Sequence, residues 1–125
     1  MIYPHLSKLV LDSAFEVSTA LGPGLLEAPY HNALYYALSK RGCEVVYNAP
    51  FNVVFEGHTV GEYYADLLVA GRVILEIKSV SELGKEHYLQ LINYLHISGC
   101  RLGFLLNFRP YRLEFKRLVL EQPAM

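Results

Sequence analysis

The chain has 125 residues, 53% of them apolar, and carries 11 basic and 12 acidic side chains for a net charge of −1. That is enough for one domain over residues 1–125 with a real core. It excludes a uniformly basic nucleic-acid binder, so any such contact must come from positive residues concentrated locally. The two cysteines, Cys43 and Cys100, lie outside any CxxC or Cys/His pattern, which argues against zinc.

His5 to Leu21 is predicted as a first amphipathic helix, with Leu6, Leu9, Val10, Ala14, Val17 and Leu21 at three- and four-residue spacing. Gly22-Pro23-Gly24 ends it. A second helix runs to about Arg41, with Leu26, Ala33, Leu34, Ala37 and Leu38 on the buried stripe and Pro29 tolerated in its first turn. Glu27 then sits at the helix N-terminus, where a carboxylate complements the dipole. Val45–Phe55 is predicted as a strand, bent or bulged near Ala49-Pro50, and either at an edge or interrupted because proline cannot donate to a ladder. Glu56-Gly57 turns the chain into the strand that carries Asp66.

Two strands with a short turn at Ala70-Gly71 follow from VGEYYADLLVAGRVILEIKSV, Val60 to Val80. The second arm is a near-continuous apolar run, as in strands covered on both faces. Yet it carries Glu76 and Lys78, and charges inside a buried sheet are costly unless compensated. By alternation Glu76 and Lys78 share a face with Ile74 and Val80, and Asp66 shares one with Tyr64 and Leu68. A two-residue loop would pair Asp66 with Leu75 and put the two carboxylates on opposite faces. A three-residue loop or a bulge at Gly71 brings Asp66 onto the Glu76 face. On that register two carboxylates and an ammonium converge, and a divalent cation, Mg²⁺ or Mn²⁺, would relieve the repulsion. The alternative is a Glu76–Lys78 ion pair with Asp66 a separate acid.

A third helix is predicted from about Lys85 to Ser98, stopped by Gly99, with Tyr88, Ile92 and Leu95 on its core stripe and His87, Gln90, Leu91 and Tyr94 beside it. Leu102–Phe108 is a buried strand, and Leu113–Leu120 a last one. Arg101, Arg109, Arg112, Lys116 and Arg117 make this end basic. Gln122 to Met125 is expected to fray. Helix, helix, three strands, helix, two strands is an α/β (α+β) layout: a mixed sheet flanked by helices. No apolar run reaches membrane-spanning length, and MIYPHLSKLV holds no signal peptide, so a cytoplasmic location away from the membrane is expected.

An acid at a strand end followed by Glu76-Ile77-Lys78 on the next strand resembles the PD-(D/E)XK nuclease superfamily. A finer resemblance is to the small bacterial GxxExxY family. It rests on Gly24-Leu25-Leu26-Glu27-Ala28-Pro29-Tyr30, preceded by Leu21-Gly22-Pro23. Ala65-Asp66, His87-Tyr88-Leu89-Gln90, Asn93-Tyr94-Leu95, Gly103, Asn107-Phe108 and Lys116-Arg117 follow in order. Tyr64 and Ser18 depart from residues common among relatives. The resemblance implies a restriction-endonuclease-like αβββαβ core and a Mg²⁺- or Mn²⁺-dependent nuclease acting on DNA or RNA. Asp66, Glu76 and the Ile77 carbonyl would ligate the ion, with Glu27 binding directly or through water. Lys78 would hold the attacking water, Gln90 would orient Lys78 or the water, and Tyr94 would shape the pocket. The alternative on the same fold is a catalytically inactive module that binds nucleic acid or a protein partner. A chain this short has little surface to grip a duplex unless it forms a homodimer or works with an accessory protein.

Overall fold

The structure is a computed structural model and describes residues 2–121; the expected fraying of Gln122 to Met125 lies outside them. Its elements are α1 (Pro4–Leu21), α2 (Glu27–Lys40), β1 (Val45–Phe55), β2 (His58–Val69), β3 (Val73–Lys78), α3 (Lys85–Ser98), β4 (Leu102–Asn107) and β5 (Glu114–Val119). One five-stranded sheet runs in the order β1-β2-β3-β4-β5. All neighbours are antiparallel except β3 and β4, which are parallel and joined across a face by α3.

Strand chemistry explains the order. The central strands β3 and β4 are the most apolar, and every residue in them is buried except Lys78. Pro50 sits in β1, which is an edge, so its missing N–H costs the ladder little. Val73, Leu75 and Ile77 face α1 and α2 with Val10, Ala14, Leu34 and Leu38. Ile74 and Leu105 face α3 with Leu91, Tyr94 and Leu95. Each fully buried leucine or isoleucine contributes about 1.5–3 kcal/mol. Gly103 lets α3 approach closely, because a Cβ there would stand 2.8 Å from a Leu91 methyl.

Several details differ from the sequence pattern. In α2, Leu26 caps the helix and is exposed, while Tyr30 is fully buried in its place. In α3 the buried positions are Leu91, Tyr94 and Leu95, so the helix is rolled toward Tyr94 and away from Ile92. The irregularities of β1 fall at Asn48, with φ 51°, and between Val53 and Val54, on either side of the expected bend. Two of the basic residues near the C-terminus are engaged with the protein itself. Arg117 donates to Ser7 and the Ile2 carbonyl against α1, and Arg101 pairs with Glu121. Among the described residues no helix is long and apolar enough to cross a membrane.

Candidate functional site

The β2–β3 turn has three loop residues, Ala70, Gly71 and Arg72, closed by Arg72 N–H donating to the Val69 carbonyl at 3.0 Å. Ala70 and Gly71 both take positive φ, 53° and 64°. This odd-numbered loop sets Leu67 opposite Leu75, and the same register continued brings Asp66 level with Glu76.

The ladder stops there, and the two carboxylates take over its hydrogen bonds. Asp66 N–H donates to Glu76 Oε2 at 2.8 Å, and Ile77 N–H donates to Asp66 Oδ2 at 2.7 Å. Each acid thus satisfies a backbone donor on the opposite strand that would otherwise be orphaned. The N–H and C=O of one strand residue point to the same side, so the Ile77 carbonyl faces this gap as well. Asp66 Oδ1 and Glu76 Oε1 accept from no protein donor among the described residues.

A twist in β2 aims Asp66 into the seam. Leu67 and Val69 pack against α1 and α2, whereas Tyr63 and Ala65 pack against α3, although all four are odd-numbered. Alternation therefore reverses across Asp66, and the shared face expected for Asp66 with both Tyr64 and Leu68 is not kept. The cause lies in β1. Asn48 takes the left-handed conformation, and no Asn48–Asp66 pair forms in a ladder that is regular on both sides. The Asp66 carbonyl instead accepts from His31 Nε2 at 2.9 Å, which fixes that nitrogen as the protonated one. His31 is held by stacking on Tyr47, ring centroids 4.1 Å apart and 10° from parallel. It stands one turn after Glu27 on α2. Its i,i+4 spacing from Glu27 was the available sequence signal.

Glu76 is only 3% exposed. Burial is the main cause that pushes its carboxyl up, to about 8, and the Asp66 charge adds to it. The Asp66 N–H and Lys78 pull the other way, and Glu27 contributes a smaller upward push. The Tyr94 hydroxyl is raised chiefly by burial and then by Glu76 and Asp66, so a neutral phenol borders the pair. Lys78 Nζ donates to Gln90 Oε1 at 2.8 Å, as the strand-to-helix placement expects. His87 accepts Gly84 N–H and closes the N-terminal turn of α3.

Glu27 is exposed at the start of α2, and the loop before it is fastened on three sides. The Tyr30 hydroxyl donates to the Gly22 carbonyl at 2.5 Å and accepts Leu25 N–H at 3.1 Å. Tyr30 stacks on Phe108 at 4.7 Å, and Ser79 Oγ donates to the Leu25 carbonyl at 2.6 Å. Gly22 at φ 70°, ψ 175° occupies a region essentially restricted to glycine. The segment from Gly22 to Tyr30 is therefore a structural unit that leads into Glu27 from the end of β3. Asn107, fully buried, anchors the next loop: it accepts Val80 N–H and donates to the Val80 carbonyl and Glu114.

The chemistry of the donor set fits a hard divalent cation: two carboxylates, each with an oxygen that accepts from no protein donor among the described residues, and a backbone carbonyl. No group of three His, Cys, Asp or Glu side chains is gathered tightly enough to hold a metal among the described residues, so Glu27 stands off from the Asp66–Glu76 pair.

A family model for the PD-(D/E)XK nuclease superfamily matches residues 4–118. Nucleases of that superfamily generally use divalent metal ions, and their substrate is nucleic acid. Among solved structures, the crystal structure of SSO0001 matches with a TM-score of 0.58 at 18% identity, over 94% of this chain. This chain spans only 58% of SSO0001, and the likeness is one of fold. An alkaline exonuclease from Laribacter hongkongensis (LHK-Exo) matches with a TM-score of 0.45 at 14% identity, over 89% of this chain and 69% of that one. No curated protein matches the sequence. The family match runs from the first turn of α1 into β5 and takes in the Asp66–Glu76 seam, Lys78 and Gln90: the chain belongs to the PD-(D/E)XK nuclease superfamily.

Proposed function

We propose that this chain is a divalent-metal-dependent phosphodiesterase acting on nucleic acid, with Mg²⁺ or Mn²⁺ as its ion and the Asp66–Glu76 seam as its centre. One observation carries the reading: two carboxylates cross at a break in the β2–β3 ladder, one of them buried, each with a free oxygen. The rival ion-pair network has Glu76 matched with Lys78. Lys78 instead donates to Gln90, and no ion pair joins it to Glu76 among the described residues.

When bound, the ion neutralises phosphate charge, lowers the pKa of bound water and aligns nucleophile with leaving group. Asp66, Glu76 and the Ile77 carbonyl would supply its oxygen ligands, and Glu27 would act through water. An ammonium has three hydrogens. Gln90 Oε1 accepts a hydrogen bond from one of them, which would leave two for the attacking water and a phosphate oxygen. Tyr94 keeps the inner wall neutral and apolar. The Gly24–Tyr30 unit supports placement in the GxxExxY group.

The test is hydrolysis of single- and double-stranded DNA and RNA with Mg²⁺ or Mn²⁺. Cleavage by the native chain that disappears in Glu76→Ala and Lys78→Ala is expected. Cleavage that survives both contradicts the assigned site.

A further inference from the structure

The end of β3 that carries Lys78 also anchors a second feature. A cavity of about 370 Å³ lies between the C-terminal part of α1 and the β4–β5 loop, lined among others by Ser18, Thr19, Gly22, Pro23, Tyr111 and Arg112. Both its walls are tied to one point on β3. Phe108 N–H, at the root of the β4–β5 loop, donates to the Lys78 carbonyl at 3.0 Å. The Gly22–Leu26 loop is held by Ser79 through the Leu25 carbonyl at 2.6 Å. The walls of the cavity are therefore fastened at the end of the sheet where β3 delivers Lys78.

Its chemistry suits one class of ligand. Tyr111 is 87% exposed, more than any other large apolar side chain among the described residues, so its ring offers a bare stacking surface. Arg112 has no carboxylate within ion-pair distance among the described residues. The hydroxyls of Ser18 and Thr19 line the same space. The volume falls in the range of about 300–1,000 Å³ usual for small-ligand sites.

We propose that this cavity is a subsite for one nucleotide of a single nucleic-acid strand. Arg112 and the α1 hydroxyls take the phosphate, and Tyr111 stacks on the base. A guanidinium free of carboxylates recognises phosphate, and an exposed aromatic ring stacks on any unpaired base. Bases inside a duplex are already stacked on one another, so the arrangement selects single strands. The inference rests on the nuclease reading only for the direction in which the strand runs, from the subsite toward Lys78.

The experiment is fluorescence-anisotropy binding of a labelled oligothymidylate in EDTA, where no cleavage can occur, over a range of salt. Tyr111→Ala is expected to weaken binding about 5- to 150-fold, the usual cost of one lost stack. Arg112→Ala should flatten the slope of log K against log salt by about 0.7, one phosphate contact on a single strand. Arg101→Ala removes the same charge from an exposed arginine paired with Glu121 and should change neither quantity by much. Equal losses in Arg101→Ala and Arg112→Ala, no effect of Tyr111→Ala, or tighter binding of duplex would overturn the subsite. Thymidine monophosphate binding as tightly as the oligomer would overturn the strand in favour of a free nucleotide. A native chain that cleaves but ignores the Tyr111 and Arg112 substitutions loses the subsite and keeps the metal centre. One that binds here and never cleaves keeps the subsite and loses the nuclease reading.

Discussion

Replacing Glu76 by glutamine removes one ionisable proton from the seam and little else. The amide keeps the side-chain length and an oxygen for the Asp66 N–H. In the native chain, burial first and the Asp66 charge second raise the Glu76 carboxyl from 4.5 to about 8. A group with a raised folded pKa binds its proton more tightly in the folded state. It contributes stability that is complete below the unfolded value and is lost as pH rises through the folded one. The gap from 4.5 to about 8 corresponds to at most about 5 kcal/mol. For a domain of this size each kcal/mol moves the midpoint by about 3–5 °C. Thermal melts followed by circular dichroism in EDTA, from about pH 5 to about pH 9, read this directly. The native Tm should fall across that interval, and Glu76→Gln should be nearly flat and melt above the native chain at the alkaline end. A native Tm that holds or rises, or a variant that follows the native curve, would refute the argument that Glu76 is buried beside a second acid without a fixed counter-charge.

Further substitutions probe the supports of the site. His31→Phe keeps a ring for Tyr47 and loses the donor to the Asp66 carbonyl; it should weaken Mn²⁺ binding several-fold and speed hydrogen exchange at the Ile77 amide, while His31→Gln, which can still donate, should restore both. Unchanged exchange in His31→Phe would show that Asp66 is oriented without it. Tyr30→Phe loses a donor to Gly22 and an acceptor for Leu25. It should cost about 1–2 kcal/mol in urea unfolding and expose the Gly22–Leu26 loop to limited proteolysis; native-like cleavage rates would count against the anchor. Asn107→Leu buries apolar bulk where Val80 and Glu114 need partners, and should destabilise by about 2–4 kcal/mol in the same assay. Lys78→Met should abolish hydrolysis while preserving the Mn²⁺-linked rise in Tm, and loss of both would move Lys78 from handling water to holding the seam together.

Much of this fold could be read from local chemistry. The apolar run from Val73 to Ile77 marks a central strand, Pro50 marks an edge, and the three helices follow from spacing and their glycine stops. Glu76, Lys78 and Gln90 fall together because strand alternation and helix periodicity both hold there. Asp66 is where the rule fails. Its orientation depends on Asn48, eighteen positions earlier, adopting a left-handed conformation. No period-two pattern within β2 carries that information. Tyr30 reads as one more apolar helix residue until its hydroxyl is seen to clamp Gly22 and Leu25. His31 and Asn107 act on backbone groups distant in sequence, at Asp66 and Val80. Such contacts follow from how α2 and β4 pack on the sheet, which spacing along the chain does not encode.

Calorimetric titration of Mn²⁺ into the metal-free chain near pH 7, repeated in buffers of different ionisation enthalpy, tests the central claim most directly. One ion per chain should bind with release of protons, because the raised Glu76 carboxyl must surrender its hydrogen to become a ligand. Asp66→Asn and Glu76→Gln should each lose that binding. No binding to the native chain, binding without proton release, or the same isotherm in both variants would contradict a divalent-cation centre between β2 and β3.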